Sequence, residues 1–112
     1  MIDSYSFGKI VIDGKTYTSD IILFPEKVYY QWLRRSGHLL QKEDLEDVIK
    51  YKPEILIVGT GANGLMKIHK ETKRLVESMG IRLIVLETSE ACKTYNDLRY
   101  KKKVVAAFHL TC

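Results

Sequence analysis

Three apolar runs constrain this chain more than any other feature: EILIVG at 54–59, IRLIVLE at 81–87 and VVAAFHL at 104–110. None alternates with polar residues, so each reads as a strand buried on both faces, the pattern of a sheet covered by helices. The first interval holds KETKRLVESMG, a helical stretch ended by Gly80. The second opens at Thr88, whose hydroxyl can cap a helix, and leaves through Lys101, Lys102 and Lys103. Strand, helix, strand, helix, strand implies parallel pairing through right-handed crossovers. The expected fold is therefore α/β, with a mostly parallel central sheet, helical crossovers and an added N-terminal layer.

That layer is predicted from SYSFGKIVIDGKTYTSDIILF, two runs rich in β-branched and aromatic residues around Asp13-Gly14, a dipeptide that tolerates the positive φ of a tight hairpin. Pro25 then denies a ladder its donor, and VYYQWLRRSGH reads as an irregular, well-packed connection ended by Gly37. EDLEDVIKY places Leu45, Val48 and Ile49 at helical spacing before Pro53 closes the segment. No repeat or linker interrupts 112 residues, which suits a single domain over 1–112.

Eighteen Lys and Arg against fourteen Asp and Glu give a net charge of +4, which favours anionic partners without requiring nucleic acid. The cations are spread over Arg34, Arg35, Lys67, Lys70, Lys73, Arg74 and Lys101 to Lys103, as on a solvated surface, so no nucleic-acid partner is expected. No apolar stretch approaches the roughly 20 residues that cross a bilayer, and the N-terminus lacks a basic leader. Two cysteines, Cys92 and Cys112, do not make a disulfide framework, so free thiols and a cytoplasmic location are expected.

Gly59, Gly61 and Gly64 form a G-x-G-x-x-G directly after a strand, and Glu87 ends the next strand where a dinucleotide fold keeps its ribose acid. Against that reading, the helical pattern starts near Lys70 and there is no room for a second mononucleotide half. A tight strand-exit turn is preferred, and no NAD or FAD is expected. Backbone N–H groups from Thr60 to Asn63 could still form a nest for phosphate, sulfate or carboxylate.

TSEACKTYN begins at the neighbouring strand exit, the edge where open α/β sheets bind ligands. Cys92, one turn into the helix, is either a thiol acidified by the helix dipole or a compact buried hydrophobe, the latter preferred. Tyr95 and Asn96 more often cap and pack than react. The three histidines show no metal-ligand spacing, so no metal is expected. His109 reads as a satisfied strand residue and His38 as the one facing a cleft, while a Cys92 dyad with either is conceivable. These elements predict a small polar, anion-attracting pocket bounded by Gly59, Thr60, Gly61, Asn63, Thr88, Cys92, Tyr95 and Asn96, with Arg34 and His38 as cationic walls.

Taken together, EILIVGTG, GIRLIVLETSEACKTYN and VVAAFHLTC resemble the Mth-domain family, which includes the adipogenesis-associated Mth-domain protein, a mitochondrial complex I assembly factor and many archaeal and bacterial proteins. Ser6, Phe7, Gly8 and Gly14 match its hairpin; Gly59 and Gly61, Thr88 and Ala91, and Tyr95 and Asn96 match its remaining elements. The terminal FHLTC is similar to the adipogenesis-associated branch. That branch has Trp-Arg-x-x-Gly where this chain has Leu33-Arg34-Arg35-Ser36-Gly37, with Trp32 displaced by one. The resemblance implies a layered α/β fold and a role in assembly or regulation, with no catalytic residue set and no cofactor. Two readings follow: a non-catalytic domain that binds a protein partner, or a small-molecule or anion-binding protein or enzyme with its cleft at the strand exits.

Overall fold

A computed structural model describes residues Met1 to Cys112. The chain opens with three short antiparallel strands, β1 (Ile2–Ser6), β2 (Lys9–Ile12) and β3 (Lys15–Tyr17), which form a sheet in that order. The β2–β3 turn has φ of 48° at Asp13 and 79° at Gly14. Both are positive, as a two-residue turn matching strand twist requires. The expected hairpin is thus real but larger, because Phe7-Gly8 makes a second turn and adds a strand.

IILF does not belong to that layer. It forms β4 (Ile21–Leu23), and VYY forms β5 (Val28–Tyr30) where the sequence predicts an irregular connection. After the short strand β6 (Leu39–Leu40), a 3-10 turn (Lys42–Leu45) runs into α1 (Glu46–Tyr51), which Lys52 ends in the left-handed conformation at φ 56°. Then come β7 (Ile55–Thr60), β8 (Lys67–Ile68), α2 (Lys70–Ser78), β9 (Arg82–Leu86), α3 (Thr88–Leu98) and β10 (Val104–His109). Strands β6 and β8 form a separate parallel pair.

The central sheet runs β5-β4-β10-β7-β9. Its β10–β7 and β7–β9 pairs are parallel, as the apolar runs predict, but β10–β4 and β4–β5 are antiparallel. The sheet is therefore mixed, not mostly parallel. Local periodicity reports that a strand is buried, not which neighbour it takes, and β10 takes the N-terminal β4 as its second partner.

Both six-residue strands of the sheet's centre, β7 and β10, are buried at every position. One face, with Ile57, Ala106 and Phe108, packs on Ala91, Cys92 and Tyr95 of α3 and on Ile2, Ile10 and Ile12 of the hairpin layer. The other, with Leu56, Val58, Val105 and Ala107, packs on Trp32, Val48, Met66 and Val76. At about 1.5–3 kcal/mol per fully buried aliphatic side chain, these two layers dominate the folding energy.

Candidate functional site

Because β7 and β9 are adjacent and parallel, the turns after Thr60 and Leu86 leave from the same edge. Thr88 joins them. Its Oγ1 accepts the Gly61 N–H at 2.8 Å and donates to the His109 carbonyl at 2.6 Å, while its own N–H donates to the Gly61 carbonyl at 3.1 Å. Thr88 is wholly buried, so one hydroxyl ties three strand exits together. Thr60, also buried, donates its hydroxyl to the Leu86 carbonyl at 3.1 Å.

The nest expected over Thr60 to Asn63 exists as a row of donors, but the chain's own oxygens accept from it. The N–H groups of Ala62 and Asn63 donate to Thr111 O and Cys112 O at 2.6 and 3.3 Å, and Leu65 N–H reaches Cys112 O at 3.0 Å. Gly61, at φ 108°, lies so close beneath this segment that a Cβ there would overlap Cys112. Gly59 is equally confined, with Phe108 and Thr88 within 2.9 Å of where a Cβ would stand.

The residues expected around one pocket therefore divide among three places. Thr60, Gly61 and Thr88 meet at the strand exits, with exposed Asn63 on the rim. Cys92 and Asn96 lie one and two turns further along α3, and eight residues of helix carry Asn96 about 12 Å from Thr88. Asn96 clamps β1 there, accepting the Ile2 N–H at 2.9 Å and donating to the Ile2 carbonyl at 2.8 Å. Tyr95 is buried in the core beneath. Burial pushes the Cys92 thiol up to about 12, the opposite of an activated nucleophile. A dyad with His38 or His109 does not form, because Cys92 belongs to the α3 face and His109 points from the other face of the sheet. Cys92 and Cys112 are both free thiols, and no three His, Cys, Asp or Glu side chains gather as a metal site.

Arg34 and His38 stand across the sheet, in a cluster that sequence reasoning missed. Phe108 opposes Ile21 in the β10–β4 ladder, so the next antiparallel pair is His109 with Asp20. Asp20 Oδ2 lies 2.7 Å from His109 Nδ1 and 2.8 Å from the Arg34 guanidinium, and Oδ1 accepts the Leu110 N–H at 2.7 Å. A carboxylate at 2.7 Å requires the imidazole proton on Nδ1. Arg34 also donates to the Gly37 carbonyl at 3.0 Å and stacks 4.7 Å over Trp32, which is itself buried and bonded through Nε1 to the Asp44 carbonyl. Exposed His38 packs edge-on against His109, with 5.7 Å between ring centroids.

Burial pushes the Asp20 carboxyl up, but the bonds from His109 and the Leu110 N–H, together with the Arg34 guanidinium, outweigh it and hold the group below its usual range. Only 4% of the Arg34 side chain and 7% of His109 are exposed. Nothing local in the sequence could have found this triad, since its members are separated by 14 and 75 positions and meet only through the register. The one available signal was an Arg and a His beside a predicted strand end.

Residues 2–109 match the protein family described as "Protein of unknown function (DUF498/DUF598)". The chain belongs to this family. Among similar proteins, assembly factor 3 of the NADH dehydrogenase (ubiquinone) 1 alpha subcomplex from Mus musculus is 32% identical over 108 residues, covering 95% of this chain and 57% of the mouse protein. The Danio rerio protein of the same name is 31% identical over 109 residues, 96% of this chain and 62% of its own length. The chain thus spans less than two thirds of these curated relatives. The crystal structure of the conserved hypothetical protein PH1505 from Pyrococcus horikoshii OT3 superposes with a TM-score of 0.86 at 32% identity, covering 100% of this chain and 99% of that one. The mixed α/β architecture is accordingly one the two chains share over their whole length. No helix of the chain is long and apolar enough to cross a membrane.

Proposed function

We propose that this chain is a non-catalytic protein-binding domain, an assembly or regulatory factor, which engages its partner at the carboxyl edge of the central sheet. One observation carries the reading: two large apolar side chains stand exposed on either side of the C-terminal segment, Phe7 at 63% and Leu65 at 47%. Both are fixed there by the backbone. Gly8 N–H donates to the Leu110 carbonyl at 2.8 Å and Leu65 N–H to Cys112 O, so neither side chain is on a loose tip. Exposed apolar groups held rigidly on a folded surface are what a partner's surface covers. The polar groups of the same edge do not compete for a substrate, because Thr88, Gly61, Ala62 and Asn63 already bond within the chain. The relatives named as assembly factors support the same class of role.

The test is photo-crosslinking in the source cells, with a crosslinking residue placed at Asn63, followed by identification of the captured protein. One partner should be captured in stoichiometric yield, reproduced by mixing the purified proteins and lost in the Phe7→Ser, Leu65→Ser double variant. A double variant that keeps full affinity for that partner, with unchanged thermal stability, would overturn the reading.

A further inference from the structure

The central sheet ends on one side at β5, and that edge is open. Across the Pro25-Glu26 turn, Phe24 N–H donates to Lys27 O at 2.9 Å and Lys27 N–H to Phe24 O at 3.3 Å. Bonded and non-bonded pairs alternate along an antiparallel ladder, so Tyr29 is the residue that bonds to Ile22, while Val28 and Tyr30 turn their N–H and C=O groups away from the sheet. Gln31, at φ 56°, ends the strand. Each face of this edge carries a cavity. Tyr29 stands opposite Ile22, on the α1 side, and lines a hollow of about 180 Å³ with Leu33, Glu43, Glu46 and Asp47. Tyr30 stands opposite Ile21, on the hairpin side, and lines another of about 280 Å³ with Lys15 and Tyr17. Tyr29 and Tyr30 are exposed, and Leu33, at 86%, is the most exposed large apolar side chain of the chain.

The two cavities differ in charge. On the α1 side Asp44 accepts from the Arg35 and Gln41 N–H groups at 3.2 and 2.8 Å, but Glu43, Glu46 and Asp47 are exposed and pair with no cation of the chain. Acidic residues in a first helical turn are ordinary. What sets these apart is their place: they rim a hollow beside an open strand edge, on a chain whose net charge is +4. We propose that β5 receives, as a further strand, an extended segment of a protein partner in which apolar and basic residues alternate. Its backbone takes up the outward groups of Val28 and Tyr30, the pairing by which sheet edges bind peptides. The added residue beside Tyr29 points to the α1 side, where a Lys or Arg lays its stem along Tyr29 and Leu33 and its charge among Glu43, Glu46 and Asp47. Its neighbours point to the hairpin side, where Lys15 repels a cation and the Tyr17 and Tyr30 rings, 6.4 Å apart, receive an apolar side chain. This surface shares no residue with the Phe7 and Leu65 edge, so the proposal does not rest on the partner reading above.

The experiment follows the backbone amides of Val28, Tyr30 and Leu33 by NMR while a short peptide of alternating Lys and Val is added at constant ionic strength. A peptide of alternating Glu and Val and an N-methylated copy of the first are the controls. The Lys and Val peptide should give saturating shifts at all three amides and slow hydrogen exchange at Val28 and Tyr30, and neither control should do so. The Glu43→Lys, Glu46→Lys double variant, altered only at exposed positions, should weaken binding about fivefold, as expected for exposed ion pairs. Val28→Pro, a change an outward-facing N–H tolerates, should abolish it. If Val28→Pro does not fold, the N-methylated peptide makes the same test of the backbone bonds from the other partner. Absence of saturation with the Lys and Val peptide overturns the proposal, as does equal binding of either control. Shifts at Val28 and Tyr30 that grow with protein concentration alone would overturn it in favour of a second copy of the chain on this edge.

Discussion

At the residue scale, Thr88 shows how much one hydroxyl can hold. Replacing it with Val keeps the shape but leaves the Gly61 N–H and the His109 carbonyl buried and unpaired, at about 1–3 kcal/mol each. Thr88→Val should therefore lower unfolding stability by about 2–5 kcal/mol in urea titration, whereas Thr88→Ser, which keeps both bonds, should cost about 1 kcal/mol. Asp20→Asn strips the countercharge from a buried Arg34 and should cost about 3 kcal/mol or more. It should also change the acid limb. The folded Asp20 carboxyl lies below its ordinary value, so its contribution is full above the unfolded value near pH ~3.9 and is lost as pH falls through the folded one. Stability measured between pH 6 and 2 should fall less steeply in Asp20→Asn than in the wild type. Cys92 acts at the other end of the scale. Its folded value of about 12 lies above that of an unfolded thiol, so stability is retained below pH ~8.5 and declines as pH rises toward the folded value. At pH 8, maleimide should label the half-buried Cys112 within minutes and Cys92 only when denaturant is added. Labelling of Cys92 at the same rate would contradict its place in the core.

At the element scale, two glycines with positive φ predict losses of different size. Gly14 has nothing within 4 Å of where a Cβ would stand, so Gly14→Ala carries only the left-handed backbone cost of about 1 kcal/mol. Gly61→Ala must also drive Cys112 out of the turn, and should cost more than twice as much and raise exchange of the Ala62 and Leu65 amides. The same elements show what local sequence can encode. Ile55 to Gly59 and Val104 to Phe108 were legible as strands because both their faces are covered, which leaves an unbroken apolar run. Asp13-Gly14 was legible because few dipeptides accept two positive φ values in succession. Val28–Tyr30, Leu39–Leu40 and Lys67–Ile68 were not, being two or three residues long and too short to show a period. The juxtaposition of the Gly61 turn and Thr88 followed from parallel neighbours alone. The grouping of Cys92 and Asn96 with them failed because it ignored the length of helix between, and Asp20 escaped notice because register, not pattern, sets it opposite His109.

At the scale of the whole molecule, the sheet order has β10 between β4 and β7, joining the N-terminal half of the chain to the β7–β9 unit. A fragment ending at Lys103 lacks the strand both halves pair with. It should show no cooperative unfolding transition by circular dichroism, and adding a peptide of residues 104–112 should restore one. The placement also has a temporal consequence. Emerging from the ribosome, β4 and β7 are both complete 44 residues before the strand that separates them begins, counting from Thr60 to Val104. Until then each exposes an apolar ribbon with an open edge, the kind of surface that pairs with the wrong neighbour or is held by a chaperone. The order of synthesis thus gives this small domain a long vulnerable interval, which ends only when nearly all of residues 1–112 are free to fold.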